Sequence, residues 1–148
     1  MKTTTLLILL FSFMLLSCKK DKLEGDKSVL IGKWEWDYTY NNHDWSKELP
    51  QGIKDTLTPI NTNTNYSIEF LEEGKIVFYK NDAVVKEKRI VFNYFKLSVS
   101  GNYNVSLYLD NDDTDEFFFV LDENIIYNYQ FPYVDEPLNI NTNYFIKQ

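Results

Sequence analysis

The sequence predicts an all-β protein, an up-and-down antiparallel β-barrel of about eight strands, with a β-sandwich as the alternative. Three observations predict it. Beyond residue 28 no segment carries a helical period. Short runs of alternating apolar and polar residues take its place, separated by Gly, Asn, Asp and Glu where the chain must turn. The runs also pair in nearest-neighbour order, and closing such a meander removes the edges that an open sheet would leave unpaired.

The first strand is expected over about residues 29–40, around LIGKWEWDYTY. Strict alternation sets Gly32, Trp34, Trp36, Tyr38 and Tyr40 on one face, and Ile31, Lys33, Glu35, Asp37 and Thr39 on the other. A long irregular stretch follows over 43–65, with Pro50, Gly52 and Pro59; loops of that length are usually functional or disordered. YSIEF and KIVFYK then form a hairpin around Gly74, and Asn81-Asp82 makes the next two-residue turn. The strand AVVKEKRIVFNYF, the turn at 100–102, NVSLYLD and the turn NDDTD follow. EFFFVLD and IIYNYQF pair across Glu123-Asn124, and NYFIK is the last strand.

This pattern points many rings inward: Trp34, Trp36, Tyr38, Tyr66, Phe70 and Phe78, and later Phe117, Phe119, Tyr127, Tyr129 and Phe131. An eight-stranded barrel is just wide enough to be packed by side chains or to hold one small ligand. So many rings favour a filled core, or at most a shallow pocket at the mouth. Val77, Tyr79, Phe118 and Val120 point the other way. They form either an outer surface for a protein partner or a face covered by the 43–65 loop.

The N-terminus reads as a targeting segment. Lys2 precedes an apolar run over Leu6–Leu16, too short to span a bilayer and of signal-peptide length. The run ends in Leu15-Leu16-Ser17-Cys18, which resembles the bacterial lipobox. That resemblance implies cleavage before Cys18 and acylation of its sulfur and its new amine, with palmitate-type chains as a stable membrane anchor. Residues 1–17 are then a signal peptide, 18–28 the lipidated cysteine and a flexible charged tether, and 29–148 the barrel domain. Lys19 is not the aspartate that resembles an inner-membrane retention signal, so the outer membrane is the expected location.

Composition limits the chemistry. The net charge of -7 becomes -8 once residues 1–17, with Lys2 and no acid, are removed. A nucleic-acid partner is excluded by the want of a basic patch. Cys18 is the single cysteine and is consumed by the lipid, so disulfides, thiol catalysis and thiolate metal sites are excluded. His43 is the single histidine, too few for a His-rich zinc site. The acidic run 110–116 lacks EF-hand spacing and reads as a solvated turn. No enzyme motif stands out, and neither a metal nor a cofactor is expected.

A lipobox, a charged tether and then Gly32-Lys33-Trp34 at the first strand resemble the small lipocalin-like lipoproteins of Gram-negative bacteria. YSIEFLEEGKIVFYKND is similar to their hairpin. The resemblance covers about residues 29–148. It implies that Trp34 packs across the closed end of the barrel under a basic side chain near the last strand, for which Lys147 is the candidate. Trp36, Tyr38 and Tyr40 would then line the interior toward the mouth and bind a small, partly apolar ligand, with the 43–65 loop as a lid. The alternative is a filled barrel that serves as an interaction or structural module of an envelope complex.

Overall fold

The computed structural model describes residues 21–40, 56–110, 112–128 and 142–148. Its strands are β1 (Gly32–Tyr40), β2 (Thr56–Leu57), β3 (Tyr66–Leu71), β4 (Lys75–Lys80), β5 (Ala83–Leu97), β6 (Tyr103–Leu109), β7 (Asp112–Asp122), β8 (Ile125–Asn128) and β9 (Thr142–Lys147). Every strand pairs antiparallel with its neighbour, from β3 through to β9. β1 then pairs with β3 on one side and β9 on the other, so the sheet closes on itself. The result is a closed eight-stranded up-and-down barrel, consistent with a lipocalin-like fold, and the sandwich alternative falls. β2 stays outside the ring, pairing only with Thr39 and Tyr40. One helical turn, α1 (Pro59–Thr62), follows it, capped by the Thr58 hydroxyl and Asn61 in a reciprocal capping box.

The turn chemistry matches the residues. Asn81 and Asp82 both adopt positive φ, 50° and 62°, as a type I′ hairpin turn demands. Gly74, at φ 79°, turns β3 into β4. The hairpin turns at 72–74, 98–102 and 123–124 lie at the end where β1 begins, called the closed end here. The β4–β5 and β6–β7 turns lie at the other end.

Rings fill the interior. Phe70 on β3 and Phe119 on β7 stand on opposite walls, four strands apart around a ring of eight, yet their centroids are 5.8 Å apart. Phe119 meets Phe117 at 5.3 Å, and Phe117 meets Phe78 of β4 at 6.1 Å. Trp34, Ile68, Ile76, Leu107, Ile126 and Phe145 complete a fully buried core.

Three expectations are corrected. The segment read as a tether through residue 28 is docked from Asp21 onward. The Asp21 carboxylate accepts from the Phe92 amide at 3.1 Å, and the Leu23 amide donates to the Glu72 carbonyl at 3.0 Å. Leu23 is buried, and Gly25–Leu30 forms a 3-10 helix that lays Leu30 into the core. The apolar side chains of Leu23 and Leu30 stabilise a segment that its charged neighbours disguise; each fully buried leucine contributes about 1.5–3 kcal/mol. Consequently β1 begins at Gly32 rather than near residue 29.

The second correction concerns the parity of β1. The β1–β9 register slips at Asp37: Trp36 opposes Phe145, but Tyr38 opposes Tyr144. The extra residue is a β-bulge, which flips the alternation beyond it. Thr39 therefore joins Trp34 and Trp36 inside and is fully buried, while Tyr38, and Tyr40 by alternation, turn to the outer wall. The third is Tyr127. Ile126 and Asn128 are the buried residues of β8, so Tyr127 also faces outward. Tyr129, Phe131, His43 and Cys18 lie outside the described residues, as do 1–20 and 41–55.

Candidate functional site

Three places in the fold carry the residues of interest. At the closed end, Trp34 is fully buried and its Nε1 donates to the Leu30 carbonyl at 2.8 Å. The Lys147 ammonium lies 5.2 Å from the Trp34 ring centroid and donates to the Val29 carbonyl at 2.7 Å. Gly32, at φ 120°, passes directly beneath the Lys147 stem. The lysine thus ties the last strand to the end of the 3-10 helix over an aromatic face, a cation–π arrangement.

Inside the barrel, toward the mouth, the wall turns polar over β1, β9 and β8. Trp36 is 2% exposed, and its Nε1 donates to the Thr39 hydroxyl at 2.9 Å. The Thr39 hydroxyl in turn donates to Asn143 Oδ1 at 2.6 Å. Asn143 opposes Asn128 across β9 and β8, and both are fully buried. Buried polar groups persist only when hydrogen-bonded, and Trp36, Thr39 and Asn143 bond one another in a chain. Replacing Thr39 with valine keeps the shape but removes the hydroxyl that serves both Trp36 and Asn143. The expected loss is about 2 kcal/mol in urea unfolding, with Thr39→Ser close to wild type.

The outer wall divides into two halves. Around β3, β4 and the start of β5 it is charged. Lys75 pairs with Glu87 at 2.5 Å, and their contact holds the lysine pKa above its ordinary value. The Tyr79 hydroxyl donates to Glu69 at 2.6 Å, and Lys33 sits 5.3 Å from the Tyr79 ring centroid. Val77 lies between Glu69 and Glu87 in register and is buried beneath these side chains. The Glu69 hydrogen bond, with burial, pushes the Tyr79 phenol up to about 12 from 10.0. The fold therefore favours the neutral phenol. Its stabilising contribution is complete below pH 10 and is lost as pH rises through about 12. Phenolate absorbance of wild type minus Tyr79→Phe should show this step near pH 12.

The other half of the wall is aromatic. Tyr38 stacks on Tyr144 at 4.3 Å, and Tyr144 stacks on Tyr127 at 6.0 Å. Tyr127 opposes Val120 across β7 and β8. Phe118, next on that face, meets Tyr94 of β5 at 6.3 Å. Between Phe118 and Tyr94, Ser106 is fully covered and donates to Glu116. Desolvation and the nearby Glu116 raise the Tyr94 pKa. The belt thus runs from β1 through β9, β8 and β7 to β5. Tyr38, Tyr144 and Tyr127 stack on one another in turn, and the Tyr127 hydroxyl accepts from Asn102 Nδ2 at 3.5 Å.

The ring parity in the sequence found Trp36 and the outward Phe118 and Val120. It put Thr39 on the outer face and gave Asn143 no role, and it placed Tyr38 and Tyr127 on the wrong wall. Of the three residues expected at the mouth, only Trp36 faces the interior. The acidic run serves the turn: Asp110 accepts from the Arg89 amide at 2.8 Å, which lowers its pKa, and bonds Lys88 at 3.0 Å. Asp112 accepts from the Thr114 amide and hydroxyl. Among the described residues no three His, Cys, Asp or Glu side chains gather in a metal-binding group. Neither the protein-family models, the curated proteins nor the solved structures contain a match to this chain.

Proposed function

We propose that the chain is a non-enzymatic, lipid-anchored barrel of the outer membrane that works as an interaction module for another envelope protein. The aromatic belt of Tyr38, Tyr144, Tyr127, Val120, Phe118 and Tyr94 is its contact surface. The observation that carries this reading is the meeting of Phe70 and Phe119 across the full width of the barrel. An interior spanned by rings leaves little room for cargo, whereas the outer wall presents large amphipathic side chains in a continuous row. Tyrosine suits such a surface, because it offers area and a hydroxyl for little conformational entropy. A partner with an apolar face and hydrogen-bond acceptors fits it. The anchor rests on Leu15-Leu16-Ser17-Cys18.

The test is photocrosslinking of the full-length protein in its host membrane, with the reactive group placed at Tyr127 or, on the charged wall, at Glu87. One specific partner at Tyr127, absent at Glu87 and lost with Tyr144→Ala, supports the reading. Equal crosslinking at both positions overturns it.

A second reading keeps a small, partly apolar ligand at the mouth, favoured by the buried polar row of Trp36, Thr39 and Asn143. In native mass spectrometry it requires an added mass that denaturation removes and that Trp36→Ala lacks. A bare mass for wild type excludes it.

A further inference from the structure

We propose that the closed end of the barrel docks directly on a lipid surface, with the tip of the β5–β6 hairpin seated among the headgroups. The inference rests on acylation of Cys18, part of the reading above. Asp21 is three positions after Cys18, and its side chain is fixed on the Phe92 amide. Three residues reach about 10 Å at most. An acylated Cys18 therefore holds the bilayer surface within that distance of the Asp21 attachment, and the barrel cannot float free on a long tether.

β5 continues past this attachment toward the same end. Phe92 to Leu97 spans about 16 Å of strand, or about 12 Å along a barrel axis at ordinary strand tilt. The turn carrying Val99 lies beyond. The tip thus reaches at least as far as the anchor allows the membrane to recede. Its composition suits that place. Leu97 is 59% exposed and Val99 wholly exposed, and residues 96–102 contain Lys96 and no acid. Val29, Ile125 and Ile146, all partly exposed, lie at the same end. Exposed Val84 and Val85 stand at the opposite end, beside the β4–β5 turn. Apolar residues at a lipid boundary contribute according to the area they bury. With a net charge of -8 after cleavage, the favoured surface is a zwitterionic one rather than an anionic one.

The experiment uses the full-length acylated protein carrying Val99→Cys, reconstituted in phosphatidylcholine vesicles. Cys18 is blocked by its lipid, so the introduced thiol alone takes an environment-sensitive fluorophore. Val84→Cys is the companion at the far end. The expected result is blue-shifted emission at position 99, quenched at least threefold more by nitroxide-bearing lipid than at position 84. Water-like emission at 99 with equal, weak quenching at both sites, on protein whose intact mass shows the acyl chains, overturns the docking while leaving the anchor standing. An intact mass without acyl chains overturns both.

Discussion

Trp34→Ala is expected to destabilise the barrel by about 3–5 kcal/mol, the range for removing a large buried ring. Three contacts converge on this side chain. It is fully buried against the core, its indole nitrogen holds the Leu30 carbonyl, and its face lies under the Lys147 ammonium. Removing the ring leaves a cavity at the junction of β1, the 3-10 helix and β9. A loss of that size is a large fraction of the 5–15 kcal/mol that holds an ordinary domain, about two fifths of it in the middle of the range. Two milder variants separate the contributions. Trp34→Phe keeps most of the packing and loses the indole hydrogen bond, for about 1–2 kcal/mol. Lys147→Met keeps the stem and loses the charge over the ring together with its bond to the Val29 carbonyl, for about 1–2 kcal/mol. Urea midpoints at neutral pH measure all three. A Trp34→Ala midpoint equal to that of wild type would show that this ring does not hold the closed end.

The barrel itself was legible because hairpin order and alternation are local properties. Asn81-Asp82 and Gly74 announce their turns, and YSIEF and NVSLYLD each state their inward face. What failed were features that depend on distant partners. A bulge at Asp37 has no signature in LIGKWEWDYTY, where hydrophobicity argues for Tyr38 inside and Thr39 outside. Thr39 is inside because Asn143, more than a hundred residues away, receives its hydroxyl proton. The docked N-terminal segment was hidden for a similar reason. Its single Leu23 among charges becomes informative only when the Glu72 carbonyl and the Phe92 amide are at hand to receive the segment. The outer belt was half visible. Phe118 and Val120 declared themselves by parity, whereas Tyr38, Tyr144 and Tyr127 formed a stack only once β1, β9 and β8 were neighbours with the bulge between them.

Gly74→Ala is the second large effect, expected near 3 kcal/mol, and it acts on a different part of the molecule. Two causes add. The residue turns at φ 79°, where a Cβ costs about 1–2 kcal/mol. A Cβ there would also overlap the carbonyl of Asp21, which is backbone and cannot swing aside, and such overpacking costs about 1–3 kcal/mol. Gly101 provides the control. It has φ 94° at the β5–β6 turn with open space where its Cβ would be, so Gly101→Ala carries the conformational cost alone. The difference between the two variants isolates the contact with the N-terminal segment. If that contact is what yields, Gly74→Ala should release Asp21 to Leu23 from the Glu72 carbonyl and the Phe92 amide before the barrel unfolds. Trypsin should then cut after Lys22 much faster than in wild type or in Gly101→Ala, and the Phe92 amide should lose hydrogen-exchange protection. Equal cleavage in both glycine variants would mean that the segment is held by Leu23 and the 3-10 helix alone. A selective rise would show that a single missing Cβ in the β3–β4 turn lets the chain fold back under the barrel.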